Sequence, residues 1–168
     1  MAAPDAGGAR VLSAVQLVAV TASREPFVPL LLEADESEPV LRGYLDDGEL
    51  FELRADGRAV GVALLLRDGD AVEIKNIALA ASERGRGLGR AAIEAIATYA
   101  ATRGARRLLV GTADVSVGTI AFYGACGFRD AGVRARFFDA YPQPVVEDGR
   151  VARDMVLFER ALVAGNDG

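Results

Sequence analysis

The chain has 168 residues, enough for one compact domain that buries a sizeable core without cross-links. Hydrophobic residues make up 51% and charged residues 26%, a globular profile, and the net charge of −5 disfavours a general nucleic-acid binder. No histidine is present, which removes histidine general bases, Ser-His-Asp and Cys-His nucleophiles and the commonest transition-metal ligand, so no metal site is expected.

Residues 1–9 read as a flexible tail, because no charged start precedes an apolar core as in a secretory signal. Residues 165–168 read likewise, leaving 10–164 as a single domain. No apolar run approaches the ~20 residues of a membrane span, and a cytoplasmic protein is expected. Residues 11–20, rich in β-branched side chains, predict a first strand. Residues 25–34 predict a short helix with a broad apolar face of Phe27, Val28, Leu30, Leu31 and Leu32. Ser37 is the expected N-cap of a helix running to about residue 45. Residues 50–54, 59–67 and 71–80 predict an antiparallel meander turning at Ala55-Asp56-Gly57 and Asp68-Gly69-Asp70.

The third of these strands changes parity. Val72 and Ile74 share one face by alternation, while Ile77 and Leu79 share the other. Two readings fit: a β-bulge near Lys75-Asn76, or a strand buried on both faces. A helix follows to about residue 103, with Leu88, Ala92, Ile96 and Tyr99 on its apolar face. Residues 108–110 predict a short strand buried on both faces. Residues 116–126 predict a helix stopped by Gly127, and Cys126, the single cysteine, reads as packing and fits a reducing compartment. Residues 128–138 and 152–162 predict the last two strands, separated by Tyr141-Pro142-Gln143-Pro144, which breaks regular structure. The element order implies an α+β (mixed α/β) fold with helices packed on a mixed sheet.

The loop Glu83-Arg84-Gly85-Arg86-Gly87-Leu88-Gly89-Arg90 opens a helix. Its glycines admit a close backbone approach, its helix start offers unpaired N–H groups, and its arginines add positive charge, so a pyrophosphate is the natural guest. It lacks the lysine and hydroxyl of a Walker loop, and its Gly-x-Gly-x-Gly spacing differs from the dinucleotide pattern. A helix-start turn with no ligand, and arginines on a solvated face, remain the plain readings of these residues alone.

Arg84-Gly85-Arg86-Gly87-Leu88-Gly89 resembles the Arg/Gln-x-x-Gly-x-Gly/Ala loop of the GNAT N-acetyltransferases. Val72-Glu73-Ile74-Lys75-Asn76-Ile77-Ala78-Leu79 is similar to that family's bulged fourth strand, and Tyr123-Gly124-Ala125-Cys126-Gly127-Phe128 to its Tyr-x-x-x-Gly-Phe ending. The set covers residues 71–128 in the family's order. The last third, with Phe137-Phe138-Asp139, Tyr141-Pro142, Glu147-Asp148-Gly149 and Arg153-Asp154-Met155, resembles one bacterial branch whose substrate is not secure.

The resemblance implies a mostly antiparallel sheet of six to seven strands with helices on both faces. Its fourth and fifth strands splay apart around acetyl-CoA. Pantetheine would bond to backbone at Ile77, Ala78 and Leu79, with the segment from Val110 to Thr112 opposite. The pyrophosphate would rest on amides of Gly85, Arg86, Gly87, Leu88, Gly89 and Arg90, beside Arg84. Where many members carry Asn, this chain has Ser116, which still suits a helix cap but puts a direct ligand contact in doubt. The implied activity is transfer of an acetyl group to a primary amine of a small molecule, peptide or protein, with no metal.

Tyr123 is the candidate acid for the leaving thiolate, since a phenol of pKa ~10 holds its proton at neutral pH. Its plain alternative is a core aromatic beside Phe122 and Phe128. Glu73 is the candidate base, directly or through water, and its alternative is a solvated strand residue. Asp139, Glu147 and Asp154 either draw a cationic acceptor or are surface charges. Competing functions are a non-catalytic acyl-CoA sensor and, against its loop spacing, a dinucleotide binder. The oligomeric state is open, although dimers are common in the family.

Overall fold

The computed structural model describes residues 14–164. Both expected tails, and residues 11–13 of the expected first strand, lie outside the described residues. Strand β1 (Gln16–Ala19) is the short exposed edge that follows. The helix expected over 25–34 is divided into a 3₁₀ turn (Glu25–Phe27) and α1 (Val28–Ala34). A continuous helix would need the Pro29 nitrogen to donate to Glu25, and proline has no N–H. Ser37 caps α2 (Glu38–Tyr44) as expected, its hydroxyl accepting from the Val40 amide.

The meander forms as β2 (Glu49–Ala55), β3 (Arg58–Asp68) and β4 (Ala71–Leu79). After a 3₁₀ turn (Ala81–Glu83) come α3 (Leu88–Thr102), β5 (Arg107–Ala113), α4 (Val117–Ala125) and β6 (Arg129–Arg134). A 3₁₀ turn (Phe137–Ala140), a small hairpin of β7 (Val146–Glu147) and β8 (Arg150–Val151), and β9 (Met155–Ala161) complete the chain. The sheet order is β1-β2-β3-β4-β5-β9-β6, antiparallel except for the β4–β5 pair. The expected mostly antiparallel α+β sheet of six to seven strands is therefore present, with seven.

Helices cover both faces. On one, Leu88, Ala92, Ile93 and Ile96 of α3 meet Val60, Ala63, Leu65, Val72 and Ile74 of the sheet. On the other, Leu31 of α1 and Leu41 and Tyr44 of α2 meet Leu50, Val62, Leu64 and Ala78. Ile96 is fully buried. Ile96→Ala is expected to cost about 2–5 kcal/mol, read as a lower urea midpoint with unchanged slope.

Three expectations are corrected. Leu109 in β5 is only half-buried, α1 packing chiefly on β4 and β3. The strand expected over 128–138 ends at Arg134, since Arg136 turns to φ +57 and opens the 3₁₀ turn. The final strand begins at Met155 rather than 152, the preceding chain being spent on the β7–β8 hairpin. No helix among the described residues is long and apolar enough to cross a membrane.

The parity switch in β4 marks a real bulge. Leu64 pairs with Asn76 and Leu65 with Ile74, leaving Lys75 as the extra residue. It returns Ile77 and Leu79 to the α3 face and sends Asn76 and Ala78 toward α1 and α2. Both readings of the sequence thus hold, since residues on each face are buried.

Candidate active site

The β4–β5 ladder stops at the pair Ile74–Val110. Beyond it β4 continues paired only to β3 and β5 only to β9, so the two strands part. The gap leads into a cleft with two halves, one of about 540 Å³ beside the glycine loop and one of about 510 Å³ on the far side. Tyr123, Ile77 and Thr119 line both halves and so mark their junction.

Ile77, Ala78, Leu79, Arg84, Gly85, Gly87, Gly89 and Arg90 line the loop half. Gly85 and Gly87 take φ +74 and +77, a region open to glycine at little cost. Gly87 is the N-cap of α3, and the first helical bond runs from the Ala91 amide to the Gly87 carbonyl. The amides of Leu88, Gly89 and Arg90 therefore precede the intrahelical ladder at the positive end of a 15-residue helix. Gly89 also lets α3 approach α4, since a Cβ there would lie 3.3 Å from the Phe122 ring. Arg84 pairs with Glu33 across the mouth of the cleft and donates to the Leu79 carbonyl at 3.2 Å. Two expected residues stand apart from the lining: the Leu88 side chain is buried in the core, and Arg86 faces Glu83 at 3.8 Å.

Thr112 and Ser116 line the far half instead. Asp35, just after α1, accepts from the Tyr44 hydroxyl at 2.8 Å, the Tyr141 hydroxyl at 3.3 Å and the Ser37 amide at 3.3 Å. Burial first, and the Asp35 charge in addition, push both phenols above their ordinary pKa. Asn76, at the bulge, donates to the Tyr44 hydroxyl and to the Leu31 carbonyl, each at 3.1 Å, while its Oδ1 is buried without a partner among the described residues. Lys75 lies over the Tyr44 ring, 4.9 Å from its centre.

Ser116 does not cap α4 with its side chain; its hydroxyl donates to Glu147 of the hairpin at 2.5 Å. Glu73 lines neither half. The ladder pairs it with Leu66 and Leu109, one step before β4 and β5 part, so the structure does not bring it to the cleft. Asp139 pairs with the Arg136 guanidinium at 2.7 Å, and Asp154 accepts the Arg136 backbone amide at 2.8 Å, so both are engaged locally.

Tyr123 is 5% exposed, and its ring packs edge-to-face on Phe122 and Phe128 at 5.3 and 5.4 Å. Burial raises its pKa above the ordinary value. The phenol thus stays protonated through neutral pH, and among the described residues its hydroxyl has no hydrogen-bond partner. The site combines a glycine loop with free amides at a helix N-terminus, a gap between diverging strands and a protonated phenol where the two halves join.

Residues 19–128 match the model of the acetyltransferase (GNAT) family. The chain belongs to the GNAT family. This GNAT enzyme, an acyltransferase, is 34% identical over 129 residues to the uncharacterized N-acetyltransferase YvbK of Bacillus subtilis (strain 168), covering 76% of this chain and 83% of that protein. It is similar in structure to a GNAT acetyltransferase of Elizabethkingia anophelis with acetyl-CoA bound (TM-score 0.81, 32% identity, 88% of this chain and 98% of that one). It is similar too to a Bacillus subtilis acetyltransferase in complex with CoA (TM-score 0.77, 32% identity, 90% and 99%).

In this GNAT enzyme the sequence reading missed Asp35, Asn76 and Tyr141 as cleft residues, with Tyr44 buried behind the first two, and it missed the hairpin carrying Glu147. Asp148-Gly149 between valine-bearing segments is a hairpin signal that could have found the last. Asn76 sits at the change of strand parity already noted, and Asp35 carries no local signal.

Proposed function

We propose that this enzyme transfers the acetyl group of acetyl-CoA directly to a primary amine of a small molecule, peptide or protein. Tyr123 carries the reading, as a protonated phenol at the junction of a half suited to a diphosphate and a half rich in carboxylates. Pantetheine would lie in the strand gap against the backbone of Ile77, Ala78 and Leu79, with Thr112 opposite. The diphosphate would rest on the amides opening α3, beside Arg84 and Arg90. An amide freed near Leu79 would polarise the thioester carbonyl. The amine nitrogen attacks that carbon, the carbon–sulfur bond breaks, and the thiolate takes the Tyr123 proton. The proton leaving the nitrogen restores the phenol. The single, buried thiol of Cys126 fits a reducing, cytoplasmic setting.

The test is a panel of amines with acetyl-CoA, following free thiol. Thiol release with at least one amine is expected; CoA binding without transfer to any amine would make the chain an acyl-CoA-binding module instead. The Glu33–Arg84 pair gives a second check. Glu33→Gln frees Arg84 for the diphosphate, and exposed pairs are worth only ~0.2–1 kcal/mol, so CoA should bind up to about fivefold tighter by calorimetry.

A further inference from the structure

The acceptor side holds a proton acceptor that the sequence reading put elsewhere. Under the transferase reading above, an acceptor amine arrives mostly as its ammonium, because its pKa is ~10, and must lose a proton before it attacks. We propose that Glu147, held by the Ser116 hydroxyl, takes that proton, and that it rather than Glu73 is the base of the reaction.

The carboxylates of the cleft differ in what already occupies them. Asp35 receives two phenols and an amide. Glu33 is paired with Arg84. Glu36 is exposed at the rim, and Glu73 lies below the gap. Glu147 is half-buried, lines the cleft, and receives one hydroxyl at Oε2, leaving Oε1 free to take a proton.

The hairpin is built to hold it there. Asp148 and Gly149 turn it at φ +50 and +75. Arg150 donates to the Val115 carbonyl at 3.2 Å, and the Ala152 amide to Val145 at 2.8 Å. Ala152 packs with Ala113 and Val115, against Phe138 and Val145. The hairpin is therefore fastened to the chain just ahead of α4.

Ser116, the N-cap of α4, precedes Tyr123 by seven positions, about two helical turns, which puts both on one side of the helix with ~10 Å between their backbones. Helical side chains lean toward the N-terminus, so the Tyr123 phenol reaches back toward Ser116. The acceptor ammonium and one bridging water would occupy the space between them, both residues lining this half of the cleft. The ammonium proton passes through that water to Oε1 and then to solvent, and the neutral amine attacks the thioester. The charged and titratable groups that share this half of the cleft with Glu147 are Lys75 of β4, Glu33 of α1, Asp35 and Glu36 beyond it, Tyr123 of α4, and Tyr141. Asp114 and Arg153 lie behind the hairpin, where the Asp114 carboxylate accepts the Arg153 amide, and Arg150 on the hairpin is turned to a carbonyl.

The experiment uses the full chain and the best amine of the panel. Glu147→Gln is expected to lower kcat/KM about 100-fold at pH 7. The deficit should narrow as pH rises toward the amine's pKa of ~10, where the amine loses its proton unaided. Glu147→Asp should restore part of the activity, and Ser116→Ala should show the same pH signature more weakly. CoA affinity and unfolding midpoint should match wild type in all three. A wild-type kcat/KM in Glu147→Gln, a deficit that stays flat with pH, or a larger loss in Glu73→Gln overturns the assignment. A wild-type protein that binds CoA and acetylates no amine overturns the transferase reading itself, which is a different outcome.

Discussion

Gly87→Val is expected to weaken CoA binding by at least about 100-fold while the protein stays folded. Gly87 sits at φ +77, where an L-residue pays roughly 1–2 kcal/mol and a β-branched one is an outlier. Relief of that strain must move the N-cap of α3, and with it the amides of Leu88, Gly89 and Arg90. Each charge-assisted bond lost to a phosphate is worth about 1.5–3 kcal/mol, so losing two gives roughly 3–6 kcal/mol. At ~1.4 kcal/mol per tenfold, that is a hundredfold or more in Kd. Gly87 is exposed, so the core does not feel the change. Gly85→Ala is the graded control: its φ is +74, but its Cβ would meet open space, so a smaller loss is expected. Calorimetric titration with CoA, beside circular dichroism, reads both. Wild-type affinity in Gly87→Val would remove the diphosphate cradle from the account.

Tyr123→Phe is expected to lower kcat by about 100-fold or more while leaving CoA affinity unchanged. The ring contacts with Phe122 and Phe128 survive in phenylalanine, so packing is retained. The hydroxyl has no partner among the described residues, and Tyr123 lines both halves of the cleft, so removing the hydroxyl costs little stability. A lost proton donor and a lost packing group therefore give different results. The first lowers kcat at constant unfolding midpoint; the second leaves kcat alone. Single-turnover thiol release separates the chemical step from CoA departure. Full turnover in Tyr123→Phe would return this residue to the plain reading of a core aromatic.

The parts of the site that were legible beforehand have local causes. A glycine at a helix start and a break in strand alternation are properties of a few consecutive residues. The Gly85-to-Gly89 loop and the change of strand parity near Lys75-Asn76 could therefore be read from the chain alone, while the pairing with β3 decided that it is a bulge. Glu73 shows where that reading stops. Its neighbour-by-neighbour pattern says that a bulge follows, but not that the β4–β5 ladder still holds at Glu73 and opens only after Ile74. Ser116 shows it again: a serine before a helix suits a cap, yet its hydroxyl is taken by Glu147, 31 positions away.

By itself the sequence determined most of the element types, the α+β sheet and the family, because these follow from alternation, helical period and motif spacing. Only the tertiary structure decided the far half of the cleft. Asp35 and Tyr141 meet across 106 positions, Asn76 and Tyr44 across 32, and the hairpin docks ahead of α4 through side chains from several elements. Such contacts are set by how layers pack around a core, and no short stretch of chain encodes which distant partner it will face.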